Sequence, residues 1–174
     1  MTQDFKAAYA DHWQAGNTRE RYVRALLELV GYRVEPYGFM AEQDTFNSER
    51  NREVGKPDYR ISVNNLGPDA PACDVCFVEV TGTEKLGGKR NQRTVWVRPD
   101  KVQWAKVNPT LPTYLAHVEN LAVKVRWLRM LDVGECPVEE IRTEKGLERF
   151  HVVPEYRCMT TLQFLADLQG EKRT

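Results

Sequence analysis

The chain carries no excess of either charge: 25 acidic and 25 basic side chains balance over 174 residues. Bulk charge therefore cannot recruit nucleic acid or an anionic membrane, and a polyanionic partner would have to meet a local basic patch. No apolar run approaches the ~20 residues of a membrane helix. Met1-Thr2-Gln3-Asp4 lacks the basic-then-apolar layout of a secretory signal. Only four cysteines are present, and only Cys73 and Cys76 stand at metal-ligand spacing. A zinc site usually shows a second close pair, whereas Cys136, Cys158, His12, His117 and His151 are scattered. Zinc is thus a minor reading, and Cys76 is read as a buried strand residue. These absences point to a reducing cytoplasm. Repeats and low-complexity tracts are missing as well.

What is present suits one domain with a real core: 41% hydrophobic and 29% charged residues. Phe5, Ala8, Tyr9, His12 and Trp13 share one helical face, and Gly16 is read as its stop. A second helix is expected from Thr18, a candidate N-cap, with an apolar stripe of Tyr22, Val23, Leu26, Leu27 and Val30 and a C-terminal cap at Gly31. Tyr32 to Tyr37 reads as a short strand, held to an edge or a bulge by Pro36. Ala41 to Lys56 is polar and aperiodic, a long loop of the kind that is usually functional or mobile. Tyr59, Ile61 and Val63 alternate as a strand. Val75 to Thr81 is nearly all apolar and reads as a central strand. Thr94 to Arg98 is a short strand, and Pro99-Asp100 opens a helix through Val107. Two strands follow, Thr113 to Val118 and Leu121 to Met130. Thr160 and Gln163 form a capping box ahead of a last helix carrying Leu162, Phe164, Leu165 and Leu168. Trp96 and Trp104 are read as core residues ahead of base-stacking platforms.

Three acids occupy places that acids should avoid. Glu79 interrupts the apolar strand, where burying a carboxylate costs several kcal/mol unless a cation compensates. By strand parity it shares a face with Thr81, while Cys76, Val78 and Val80 face the other way. Asp58 follows Lys56-Pro57 at the start of the preceding strand, so the two carboxylates can converge at one end of the sheet. Two such oxygen donors repel unless a cation lies between them, and they suit Mg²⁺ or Mn²⁺. Glu20 lies on the apolar stripe of its expected helix, in the first turn, where the helix dipole favours an anion. Bland readings compete with each: a structural ion pair for Glu79, a turn residue for Asp58, an ordinary helix acid for Glu20.

The ordered set resembles the core of the PD-(D/E)XK nuclease superfamily. It comprises a helix with Glu20, a strand, Lys56-Pro57-Asp58-Tyr59-Arg60-Ile61 and Phe77-Val78-Glu79-Val80-Thr81. Val95 to Val102, a helix and Tyr114-Leu115-Ala116 complete it. The likeness spans about residues 18 to 130, and archaeal-type Holliday-junction resolvases are the most similar subgroup. It implies a restriction-endonuclease-like α/β fold with a central mixed β-sheet flanked by helices, and a C-terminal extension over 131–174. It implies that Glu20, Asp58 and Glu79 arrange Mg²⁺, with the Val80 carbonyl as a further ligand. The implied reaction is metal-dependent phosphodiester hydrolysis, on DNA ahead of RNA.

The departure is Thr81, which stands where the family places a lysine and cannot supply a cation. Either the lysine has moved, to Lys101 first, or to Lys85 or Lys106, or the site is inactive and the fold only binds. Lys85, Lys89, Arg90 and Arg93 are by default a solvated loop, and beside a nuclease site they would contact phosphates. The expected partners are nucleic acid and a second copy of the chain in a homodimer, with no membrane. The rivals are a non-catalytic nuclease-fold module, binding nucleic acid or a protein assembly, and an α/β protein in which Asp58 and Glu79 are only structural.

Overall fold

The computed structural model describes residues 10–38, 54–63, 72–83, 93–119, 124–144 and 146–171. Helix α1 spans Ala10–Leu29. It runs unbroken through Gly16, which corrects the expected stop there and the expected N-cap at Thr18. One glycine inside a helix costs only about 1 kcal/mol relative to alanine, too little to end a helix of this length. Glu20 consequently sits in mid-helix, outside the reach of the N-terminal dipole. The C-terminus behaves as expected: Gly31 takes φ 91°, and the Gly31 and Tyr32 amides donate to the Glu28 and Leu27 carbonyls at 3.0 and 3.1 Å.

The chain then builds β1 (Arg33–Pro36), β2 (Tyr59–Val63), β3 (Cys73–Thr83) and β4 (Thr94–Val97). Helix α2 (Pro99–Val107) precedes β5 (Thr113–Glu119) and β6 (Lys124–Arg129). A five-stranded sheet has the order β1-β2-β3-β5-β6. β3 and β5 are parallel, and the other pairs are antiparallel. The central position of β3 follows from its apolar run, and Pro36 lies on the edge strand, where a missing N–H costs no ladder bond.

The fold is thus α/β, a mixed sheet flanked by helices. On one face α1 and the last helix, α4 (Thr161–Glu171), cover Tyr59, Ile61, Cys76, Val78, Tyr114, Ala116, Val118 and Trp127. Phe164 of α4 stacks on Trp127 at 3.8 Å and meets Tyr114 edge-on at 5.0 Å. The capping box forms: the Thr160 amide donates to Gln163 Oε1 at 2.8 Å, and the Gln163 amide to Thr160 Oγ1 at 3.3 Å. Leu162, expected in the apolar set, is exposed instead; it lies two positions from Phe164, on the other side of a helix.

On the opposite face α2 packs Val102 and Ala105 over Leu115 and Leu128. A second, three-stranded sheet closes this side. Past a short α3 (Met130–Val133) come β7 (Val138–Thr143) and β8 (Gly146–Pro154), and β4 pairs with β8 in the order β4-β8-β7. The extension therefore supplies the partner of β4, burying Val95, Val97 and Val153 against Leu115 and Leu128. Cys76 is fully buried, Cys73 is exposed, and all four cysteines are free thiols.

Candidate active site

β2 and β3 pair with Tyr59 opposite Val78, so the next row, at one end of that ladder, sets Asp58 opposite Glu79. Asp58 is fixed from several sides. Its Oδ2 accepts the Val80 amide at 2.7 Å, and its carbonyl accepts the Tyr37 and Gly38 amides at 2.7 and 3.2 Å. The segment before it is wedged against α2. Gly55 adopts φ 84°, and a Cβ there would lie 2.2 Å from the Asp100 carbonyl oxygen. Only glycine permits this approach. An aromatic group of Tyr37, Phe77 and Trp104 packs beside it, with ring centroids 4.7, 5.2 and 6.1 Å apart, and Lys56 Nζ lies 4.2 Å above the Tyr37 ring.

Lys101 projects from α2 into this corner. Its ammonium is 2.7 Å from Glu79 Oε1 and donates to the Lys56 carbonyl at 3.2 Å. Asp58 and Glu79 are 6% and 8% exposed. Burial raises both carboxylates above their ordinary range. The Glu79 charge raises Asp58 further, against the pull of Lys101 and the Val80 amide, and Lys101 and Arg98 lower Glu79 in part. At Lys101 burial pulls the ammonium down, but Glu79 and Asp58 outweigh it, so its pKa ends above the ordinary value. Two buried acids therefore share one buried cation. One negative charge remains for a further cation to balance when both acids ionise.

The donor set fits a hard divalent ion. Glu79 Oε2 is buried without a hydrogen-bond partner, an orphan acceptor of the kind a metal satisfies. Asp58 and Glu79 would supply side-chain oxygens and Val80 a carbonyl. Among the described residues no three His, Cys, Asp or Glu side chains group as metal ligands. Glu20 therefore does not complete a three-acid set. It is buried at 7% exposure and its charge raises Asp58 slightly, but it comes from α1, whose Val23 and Leu27 pack the opposite face.

The remaining expected residues separate. Thr81 lies two residues past Glu79 on β3, in register with His117 of β5. Lys106 is exposed, with its side chain beside Gly134. Lys85, Lys89 and Arg90 lie outside the described residues. Arg93 joins Glu119 and, at 3.5 Å, Glu155, and Arg126 also joins Glu119 (3.3 Å) and Glu155. Trp104 is in the core at 3% exposure, but Trp96 is 36% exposed, which corrects its expected burial: β4 turns Val95 and Val97 inward, so Trp96 faces out.

Sequence reading weighed His117 only as one of the scattered candidates for zinc. It is 3% exposed, its Nδ1 is buried without a partner, and its Nε2 lies 3.4 Å from Thr83 Oγ1. Burial holds its pKa down to about 4. The available signal was parity, since His117 and Glu119 alternate with Ala116 and Val118 along β5.

The fold is similar to that of a solved viral nuclease. The D212 nuclease of a fusselovirus superimposes with a TM-score of 0.56 at 13% identity, covering 89% of this chain and 92% of that one. Hjc, a Holliday junction resolvase of Archaeoglobus fulgidus, gives a TM-score of 0.47 at 15% identity, covering 86% and 93%. No family model and no curated protein matches the sequence. Among the described residues no helix is long and apolar enough to cross a membrane.

Proposed function

We propose that the chain is a divalent-metal-dependent nuclease acting on DNA in preference to RNA. The observation that carries this reading is the meeting of Asp58, Glu79 and Lys101 in one buried corner although Thr81 stands at the usual lysine position. Asp58 and Glu79, with the Val80 carbonyl, would hold Mg²⁺ or Mn²⁺. The bound ion would polarise the scissile phosphate and acidify water. Lys101 would supply the fixed positive charge that stabilises negative charge developing on the phosphate oxygens. Its bonds to Glu79 and the Lys56 carbonyl pre-position it for that task. Glu20 would act as a more distant charge, and Thr81 would offer a hydroxyl only. Lys85, Lys89, Arg90 and Arg93 remain the proposed phosphate-binding group.

The same two bonds favour one rival. Lys101 could be a staple between α2 and the Lys56 turn, in a module that binds and does not cut. Calorimetric titration of Mn²⁺ with a cleavage assay on duplex, branched and single-stranded DNA separates the two. The nuclease reading expects saturable binding, lost in Asp58→Asn, together with metal-dependent cleavage. Binding of DNA with no cleavage at any metal concentration would leave the module.

A further inference from the structure

Strand β7 ends the three-stranded sheet. In the order β4-β8-β7 it has β8 on one side and, among the described residues, no strand on the other. Such an edge is a template for a further chain. Val138, Glu139, Glu140 and Arg142 are exposed along it. The Thr143 hydroxyl donates to Glu148 across the hairpin and holds its far end. One bond fixes the direction of the backbone groups. The Val152 amide donates to the Pro137 carbonyl at 2.9 Å, just before β7 begins, so Pro137 and Val152 form a hydrogen-bonded row. Such rows alternate along an antiparallel ladder, and Glu139–Phe150 and Ile141–Glu148 follow in turn. Val138, Glu140 and Arg142 therefore turn their N–H and C=O groups away from β8, towards the open edge.

The side chains select what can pair there. Charge on an edge strand ordinarily keeps other strands away. In β7 its order leaves one register open. Consider a second copy of β7, antiparallel and related by a two-fold axis normal to the sheet. Centred on Ile141, the axis sets Glu140 opposite Arg142 of the second copy and, by symmetry, Arg142 opposite Glu140. Ile141 meets Ile141, and Glu139 meets Thr143. The Glu140–Arg142 rows are then the hydrogen-bonded ones, as their outward backbone groups require. Each Glu140 lies between Arg149 of its own β8 and Arg142 of the copy. Moving the axis by one residue destroys the match. Centred on Glu140 it opposes two glutamates, and centred on Arg142 two arginines, each a destabilising like-charge pair. A nucleic-acid strand fits this edge less well, because Glu139 and Glu140 outnumber Arg142 along it.

We propose that β7 is a self-pairing interface, through which two copies of the chain join edge to edge about Ile141 and their three-stranded sheets become one continuous sheet. The expected homodimer thereby has a location and a register. A single pair of short strands buries less than a standard stable interface, so the dissociation constant should be on the order of 10 µM. The interface is made without Asp58, Glu79 or Lys101, so its failure leaves the nuclease reading as it stands.

Sedimentation velocity of the full chain from about 1 to about 200 µM tests this. The wild-type chain should pass from monomer to dimer over that range. Glu140→Arg alone and Arg142→Glu alone should each weaken the dimer about tenfold or more, since each makes both Glu140–Arg142 rows repulsive. Mixing these two single variants, or combining both substitutions in one chain, sets opposite charges across the rows again and should restore the dimer. Arg142→Pro removes an outward amide and spares the β8 ladder, so it should give a folded monomer. A wild-type chain that stays monomeric throughout assigns the charges to protection of a bare edge and overturns the proposal. So does a dimer that survives both single reversals or Arg142→Pro, and so does one that neither the mixture nor the double variant restores.

Discussion

The two faces of the five-stranded sheet differ in what they bury. Towards α1 and α4 the sheet presents aliphatic and aromatic side chains, Tyr59 and Tyr114 among them, and the Tyr114 hydroxyl donates to Asp167 Oδ2 at 2.7 Å. Towards α2 the same strands bury Glu79, His117, Glu119 and Arg126 among Leu115 and Leu128, with Asp58 at the end of the ladder. Burial of apolar area stabilises the first face with no electrostatic opposition. On the second, desolvation of each charge opposes folding until a partner offsets it. One sheet therefore divides its labour: one side holds the molecule together, and the other gathers buried charges, which on the proposed reading would serve a phosphate and a metal.

Opposite outcomes for two substitutions would show this division most sharply. On the proposed reading Asp58→Asn should abolish turnover, because a metal ligand would be gone, while the melting temperature stays level or rises. The asparagine oxygen can still accept the Val80 amide, and a buried charge has been removed. Metal-dependent cleavage retained in a preparation free of contaminating nuclease would refute the assigned role. Phe164→Ala, on the other face, should cost about 3–5 kcal/mol of unfolding free energy by chemical denaturation. It should leave Mn²⁺ affinity of the folded fraction unchanged. A loss below about 1 kcal/mol would mean that the Trp127–Phe164 stack is not the anchor its burial indicates.

The apolar face was the legible one. The Val23 and Leu27 stripe, the β3 run and the capping box at Thr160 are local patterns, and the structure realises them. Asp58 and Glu79 were legible because each breaks such a pattern. The other face was harder to read, because its order is tertiary. Gly16 passed for a stop because propensity alone cannot weigh the packing of a long helix. β7 reads Val138-Glu139-Glu140-Ile141-Arg142-Thr143 and is mostly exposed, so no apolar alternation announced it. Without β7 and β8, β4 had no visible partner, and Trp96 passed for core. Phe150-His151-Val152-Val153, rich in aromatic and branched side chains, was the one local hint of a strand there.

Lys101 tests whether the polar face is chemistry or scaffolding. Lys101→Met keeps the stem and removes the ammonium. Turnover should fall about a hundredfold, read as kcat at saturating Mg²⁺ with KM little changed, and Mn²⁺ should bind no more weakly, since Glu79 loses a competing cation. Lys106→Met should be indifferent. If Lys101→Met instead lowers the melting temperature while kcat persists below it, the ammonium is a staple between α2 and the Lys56 turn.

The smallest effect separates the polar groups from one another by pH. His117 is withheld from protonation: burial lowers its pKa from 6.5 to about 4, Glu119 opposes that shift, and Arg19 and Arg126 reinforce it. An unfolded chain protonates this imidazole near its ordinary value and the folded chain does not. The His117 contribution to stability is therefore complete above pH 6.5 and declines as pH falls towards about 4. Asp58 and Glu79 have the opposite sign. Their folded values are raised, so the folded state holds protons that the unfolded chain has released, and acidification towards the ordinary carboxylate range favours folding. In an Asp58→Asn/Glu79→Gln background only the histidine slope should remain of the two. Moving from pH 7.5 to pH 5.5, that background should lose roughly 1 kcal/mol more unfolding free energy than the same background carrying His117→Gln. Restoring Asp58 and Glu79 should superimpose a gain on acidification, which saturating Mg²⁺ removes by holding both acids ionised. Parallel pH profiles with and without His117 would show that its imidazole protonates freely in the folded chain, and that this face is wetter than its burial indicates.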